Sequence, residues 1–405
     1  MPSAQEAVSP CNNGPGPAVC HVSTVHPDLD KRVFYRECLS LVEAGYQVHL
    51  VVQHDRDEVV QGVRIHALPQ PPDRVRRMLW WPWLAYRKVL AIRPRPALVH
   101  VHDPELLPVA QLLRLRGMQA VFDAHENVVS DIEYKRYLPA PVRWPLARTY
   151  EFAERFLTSG IGVIAVIETM ARLYREPRTV VRNLPRLGLG PEPDPIEFRP
   201  PWRFVYTGYV TPERGALRML QLMEDLRERG IPAQLRIVGA VVPASWRDEV
   251  LRYIEGHGLR EVVTMTGEVS QQQSLAEVNR AHIGLCLLDA IPNFVNSLPV
   301  KLCEYMRYGR PVVASDITAW REFVEDVGAG VRVDINDRKQ IADVVVRMLA
   351  HPEEMEQMGK RALAAVKGVY CWEKEQGRLI AFYSRLLGRR GCRWPSEPGA
   401  ATEPA

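Results

Sequence analysis

The sequence contains no C-x-x-C pair, no apolar window of the ~18 residues that a membrane-spanning helix needs, and no G-x-G-x-x-G turn between a strand and a helix. Its seven cysteines, at positions 11, 20, 38, 286, 303, 371 and 392, are odd in number and scattered. Neither a disulfide framework nor a zinc site is therefore expected, and a reducing cytoplasm is. The opening residues show no basic segment running into an apolar one, so no secretory leader is expected. The protein is expected in the cytoplasm, at most peripheral on the inner face of the membrane. Lacking the dinucleotide fingerprint and its acidic residue about 20 positions on, the chain is a poor candidate for NAD-linked chemistry. A net charge of +4 is too small to argue for a nucleic-acid partner.

What is present suits a soluble α/β protein. A length of 405 residues predicts about two or three domains. Hydrophobic content of 46% and charged content of 25% are ordinary for a globular chain. Residues 1–17 and 389–405 are rich in Pro, Gly and small polar residues and are expected to be disordered. Between them, short Val, Ile and Leu runs such as VCHVST, VHLVVQ, LVHVHD, VFDAHE and GVIAVI alternate with helical stretches, including one from Lys31 to Ala44. That alternation implies parallel strands joined by right-handed crossovers. It is interrupted by Arg186 to Arg203, whose proline density stops any helix or central strand and marks a linker. A second alternation follows over 204–370, and Trp372 to Leu387 carries apolar residues at helical spacing.

The most informative stretch is Asp289 to Asp316, DAIPNFVNSLPVKLCEYMRYGRPVVASD. An apolar strand ends in a polar loop, a short helix begins near Pro299, and a Gly turn leads into a second apolar strand. Loops after the carboxyl ends of parallel strands are where ligands sit. The helix start offers free N–H groups beside Lys301 and Glu304, which suits a phosphate next to a ribose. The Pro-x-Lys-Leu-x-Glu-Tyr-Met run with Gly-x-Pro-Val-Val-Ala-Ser behind it resembles the family 4 retaining glycosyltransferases of the GT-B fold, over nearly the whole chain between the tails. The resemblance implies two Rossmann-like domains whose parallel sheets face an interdomain cleft. The N-terminal acceptor domain would span 18–185, the linker 186–203 and the nucleotide-sugar domain 204–370. A helix over 371–388 would cross back to the first domain.

The resemblance also assigns residues. Glu304 falls at the second Glu of the family's E-x7-E pattern, where a carboxylate takes two ribose hydroxyls. The first Glu is replaced by Asn296, an amide that both donates and accepts, so the sugar transferred does not carry over. The backbone of Ser297 and Leu298 falls where diphosphate-binding amides lie, while Pro299 has no N–H. Of the family's two cations after the first strand of this domain, Arg214 is kept and Tyr209 stands for the other. Lys301 is then expected to share leaving-group charge with Arg214, without a metal. Gly208 gives the tight turn, and Thr266, Gly267 and Val269 follow a strand end from which backbone groups commonly read a base. In the first domain the resemblance makes His125 the residue facing the transferred sugar. Asp123 and Glu126 lie beside it in the sequence. His100, His102 and Asp103 end another strand, as cleft wall or as metal ligands only with partners the sequence does not show. Ser23, His26, Asp30 and Arg32 are candidates for the acceptor side.

Arg74 to Leu90, RVRRMLWWPWLAYRKVL, interleaves Trp80, Trp81, Trp83 and Tyr86 with basic residues. Such a segment suits an anionic bilayer surface. It equally suits a helix half-packed on the sheet with its arginines in water. The expected activity is metal-independent, retaining transfer of a hexose from a nucleoside diphosphate sugar to an acceptor hydroxyl. No cofactor is expected, and the acceptor is a glycan, a lipid-linked group or a small molecule. The alternatives are a nucleotide-sugar epimerase or hydrolase, or a binding subunit without catalysis.

Overall fold

The structure, a computed structural model, describes residues 16–27, 29–125, 128–134, 139–295 and 297–388. The two tails, except for residues 16–17, and Glu126 and Asn296 lie outside the described residues. The chain divides into two units. One takes the described residues up to Arg182 and those from Glu373 on; the other is Asn183–Trp372.

The first unit is built on eight strands: β1 (Ala18–Pro27), β2 (Gln47–Gln53), β3 (Glu58–Val60), β4 (Val63–Leu68), β5 (Leu98–Val101), β6 (Gln119–Ala124), β7 (Gly162–Ala165) and β8 (Arg178–Val180). Their order is β3-β4-β2-β1-β5-β6-β7-β8, parallel except for the edge hairpin β3/β4. Because side chains alternate across a strand, Cys20, Val22, Val99 and Val101 face one hydrophobic layer, packed with Trp81, Ala85 and Val89. The opposite face carries His21, in register with His100. Two elements bring residues to that second face: Val33–Cys38, wound as a π-helix before the α-helix Leu39–Glu43, and Trp372–Leu386, whose Tyr383 bonds His21 and His100.

One helix, Arg74–Ala91, runs unbroken through Pro82 and is capped by Asp73, which accepts from the Arg76 N–H at 2.8 Å. It is half-packed, the second of the two arrangements that its sequence suits. Trp80 and Trp83 are exposed, but Trp81 is only 8% exposed and donates its indole N–H to Pro69 O at 2.7 Å. Trp80, Trp81 and Trp83 fall within about one turn of the helix, and at 3.6 residues per turn they point in different directions.

The second unit has six parallel strands: β9 (Trp202–Thr207), β10 (Ala233–Val238), β11 (Val263–Gly267), β12 (Ile283–Cys286), β13 (Val312–Ser315) and β14 (Gly330–Val333), in the order β11-β10-β9-β12-β13-β14. The proline-rich segment 186–203 packs on this unit. The Asn279 amide donates to Glu192 O at 3.0 Å and to the Asp194 carboxylate at 2.8 Å, Tyr308 donates to Pro191 O at 3.1 Å, and buried Arg310 donates to Asp194 O at 3.0 Å.

His282 ties the start of β9 to this segment: its Nδ1 accepts from Arg203 N–H and its Nε2 lies 3.0 Å from Glu197 O. Both contacts require the neutral Nε2–H ring, and burial pulls its pKa down to about 4. A depressed folded-state value means stability that is complete above pH ~6.5 and is lost as the pH falls toward 4, by about 3 kcal/mol at most. Wild type should therefore lose more stability over this window than His282→Asn in denaturant titrations; equal losses would show that His282 does not couple folding to protons.

Candidate functional site

Winding runs outward from β9 to β11 on one side and from β12 to β14 on the other, so the second unit has its topological switch point between β9 and β12. Ligands in such sheets bind beyond the carboxyl ends at this point. The two strands pair only at Ile283↔Phe204 and Gly284↔Val205. Just beyond, the Tyr305 hydroxyl lies between them, accepting from Thr207 N–H at 3.1 Å and donating to Leu285 O at 3.2 Å. It supplies the hydrogen bonds that the parted ladder lacks. The ring fits because residue 284 is glycine: a Cβ there would lie 2.1 Å from a Tyr305 ring carbon. A Gly inside the apolar run IGLCLL was the sequence signal for this close approach.

The loop after β9 turns at Gly208, with φ +111°. A Cβ on Gly208 would lie 3.5 Å from an Arg214 Nη and 3.6 Å from Lys301 Nζ, so both cations converge on the space above this residue. Arg214 ends the short 3-10 turn Pro212–Arg214, and its guanidinium lies 5.4 Å from the Phe294 ring centre. Lys301 is the second residue of the helix Val300–Arg307, 8% exposed. Its Nζ lies 3.9 Å from the centre of the Tyr206 ring and has no hydrogen-bond partner among the described residues. Glu304, one turn on and 8% exposed, likewise has no hydrogen-bond partner or ion pair there. Residues three apart share a helix face, yet these opposite charges do not neutralise each other. Two buried, unpaired charges of opposite sign are costly unless a ligand answers both.

The helix start is uncapped by any side chain. The N–H groups of Leu298, Val300 and Lys301 carry no hydrogen bond among the described residues, whereas Ser297 N–H closes a turn on Phe294 O at 3.3 Å. The open amides of Val300 and Lys301 are the free N–H groups expected at the helix start, and Leu298 adds one from the loop before it. Trp320 Nε1 holds the loop by donating to Ser297 O at 3.0 Å. Thr266 and Gly267 lie at the end of β11, two strands from the switch point. Thr266 Oγ1 donates to Gly267 O at 2.9 Å, and Val269 is half-buried against the core.

In the first unit the switch point lies between β1 and β5. Asp103 braces the C-terminal half of β1, accepting from Thr24 N–H at 2.5 Å and Ser23 Oγ at 3.1 Å. His26 sits 3.5 Å from Asp30, which raises its pKa against the opposing effect of burial. The His125 ring centre is 5.1 Å from that of His26, and its Nδ1 lies 3.2 Å from Asp123 O. Arg32 is a structural partner: it grips Asp123 with two bonds of 2.8 Å. Although burial pushes the Asp123 carboxyl up, Arg32 holds it well below its usual range.

Two family descriptions match this chain: "Glycosyl transferase 4-like domain" over residues 31–186 and "Glycosyl transferases group 1" over residues 194–364. An alpha-D-kanosaminyltransferase from Streptomyces kanamyceticus is 29% identical over 182 residues, 45% of each chain, so the match spans about half the length of this relative. Among solved structures, sucrose-phosphate synthase from Thermosynechococcus elongatus superposes with a TM-score of 0.74 at 18% identity, covering 92% of this chain and 99% of its own. The Anabaena protein HepE in complex with UDP and glucose gives 0.68 at 13% identity, covering 91% and 100%. With both units matched and the fold shared, the chain belongs to the group 1 glycosyl transferases of the GT-B fold.

Proposed function

We propose that the protein transfers a hexose from a nucleoside diphosphate sugar to an acceptor hydroxyl, with retention of configuration and without a divalent cation at the diphosphate. The observation that carries this reading is the pair of cations over Gly208, one of them a buried ammonium without a partner, beside three open amides. Fixed donors of this kind stabilise the charge that develops on a departing diphosphate. Glu304 takes the ribose hydroxyls, and His125, in the first unit, serves the transferred sugar. HepE, which shares the fold, is seen with UDP and glucose, and this makes a uridine nucleotide the first donor to try. UDP-, GDP- and dTDP-sugars should be screened by thermal shift, since a ligand at 100 times its dissociation constant adds about 2.7 kcal/mol. Nucleoside diphosphate released only when an acceptor is present, and unaffected by added Mg2+, is the expected result. Release without acceptor would make the protein a hydrolase, a converted sugar would make it an epimerase, and binding without turnover a nucleotide-sugar-binding subunit.

We further propose that the acceptor is met at an anionic membrane surface. The helix Arg74–Ala91 exposes Val75, Leu79, Trp80 and Trp83 among its basic residues, and the helix Ala140–Leu157 exposes Trp144, Phe152 and Phe156 with Arg148 and Arg155. Each surface cation contributes about 1 kcal/mol, screened within a Debye length. Wild type should sediment with anionic liposomes at low salt and less so as salt rises, and Trp80→Ser with Trp83→Ser should release it while Trp81 keeps the helix folded. Indifference of wild type to such liposomes would end the membrane reading and leave the transfer reaction untouched.

A further inference from the structure

Four polar side chains converge beneath the switch point of the first unit. His21 on β1, Glu37 on the π-helical turn, and His100 and His102 at the end of β5 are all fully buried, at 0% exposure. One ligand atom from each lies within 4.8 Å of all the others. Glu37 Oε2 sits 3.8 Å from His21 Nδ1, 3.6 Å from His100 Nδ1 and 3.9 Å from His102 Nε2, while His21 Nδ1 and His102 Nε2 are 2.9 Å apart. For metal–ligand bonds of about 2.0–2.1 Å, the edges of a tetrahedron are roughly 3.3 Å. These four distances lie within about 0.6 Å of that edge, and the widest separation in the cluster, at most 4.8 Å, has to close by no more than about 1.5 Å.

Two of its three histidines have the outer partners of metal ligands. A ligating histidine ordinarily gives its other ring N–H to a carboxylate, carbonyl or hydroxyl. His102 Nδ1 lies 3.2 Å from the Asp123 carboxylate, and His21 Nε2 lies 3.2 Å from the Tyr383 hydroxyl. With these protons turned outward, both inner nitrogens present lone pairs. Glu37 stands 3.0 Å from Arg32 Nε, off the N–H direction, and neither of its oxygens has a hydrogen-bond donor. A carboxylate wholly out of water and without a donor is among the most expensive groups a core can hold. Arg32 gives its two 2.8 Å hydrogen bonds to Asp123 rather than to Glu37. His100 Nδ1 meets Tyr383 at 2.8 Å. An ion would take that lone pair and leave Tyr383 to His21.

We propose that His21, Glu37, His100 and His102 bind one divalent transition-metal ion, zinc by its donor set, as a structural site of the first unit. Four protein ligands leave no open coordination position, so the ion supports the fold and takes no part in transfer. Asp103, the acidic neighbour of His102, is not a ligand; it is bonded to Ser23 and Thr24 of β1. The expectation of no metal site came from cysteine spacing, and a histidine–carboxylate site drawn from three separated elements leaves no such spacing.

The test uses the full chain, without a histidine tag, from zinc-supplemented medium. Elemental analysis should find one zinc per chain after dialysis against EDTA. Refolding with Co2+ in place of zinc should give the visible absorption of four-coordinate cobalt with nitrogen and oxygen ligands. Glu37→Gln, which keeps shape, and His102→Gln should abolish both signals. Tyr383→Phe should weaken zinc binding about 10–100-fold, as loss of an outer partner does. His66→Ala, which breaks the separate His49–His66 pair, should change nothing. Zinc content well below one per chain together with no cobalt spectrum in wild type overturns the proposal, as does metal retained in full by folded Glu37→Gln and His102→Gln. If both variants fail to fold, the wild-type zinc content and cobalt spectrum decide alone.

Discussion

Lys301→Ala should lower the rate of transfer by roughly 10²–10³-fold, or about 2.7–4 kcal/mol of barrier, the effect of removing one fixed donor from a developing anion. The same change should leave the melting temperature of the ligand-free protein equal or higher. Lys301 Nζ is buried against Tyr206 without an anionic partner, so truncation removes an uncompensated charge rather than a bond. Arg214→Ala should also slow transfer, by less, because its half-buried guanidinium is already partly solvated. The discriminating measurement is the pair of readouts: kcat by coupled nucleotide release, and melting temperature with and without nucleoside diphosphate. A Lys301→Ala protein that melts well below wild type and turns over normally would make Lys301 a packing residue.

Glu304→Ala should weaken nucleoside diphosphate binding by about 2–4 kcal/mol, roughly 30- to 1,000-fold, since a carboxylate accepting from two hydroxyls makes two charge-assisted bonds of about 1.5–3 kcal/mol each, partly offset by water in the free state. The carboxylate is buried and meets no donor among the described residues, so folding should not suffer. Glu304→Gln should fall between, because an amide keeps one acceptor. Isothermal titration with the preferred nucleotide checks this. An unchanged dissociation constant in a folded Glu304→Ala protein would remove the ribose assignment, while leaving the Lys301 prediction standing.

How far the sequence disclosed the site depended on whether the information was local. The two-sheet α/β fold could be read because buried parallel strands are written as short unbroken Val, Ile and Leu runs. Lys301 and Glu304 could be placed because three residues along a helix fix a shared face. Which tryptophan of Trp80, Trp81 and Trp83 is buried stayed open, because helical phase separates what sequence adjacency joins. Glu37 could not be assigned at all. It stands as an ordinary helix glutamate until β1 and β5 are set side by side, when His21 and His100 fall into register beside it. The proline-rich segment was legible as irregular chain, but not as a strap held by Asn279, Tyr308 and Arg310, contacts that join residues more than 80 positions apart.

The Tyr305 hydroxyl between β9 and β12 bears on the energetics of donor recognition. Parted parallel strands ordinarily expose N–H and C=O groups that must find water, and a protein can escape that cost by closing the gap. Here the gap is propped from within, by a phenol whose ring occupies the place of a missing Cβ at Gly284. The parted strand ends are thus held open by the chain itself, and on the proposed reading a nucleotide would not have to open them, so none of its affinity would be lost to a minor population. On that reading, discrimination among donors falls to the loop residues that touch them.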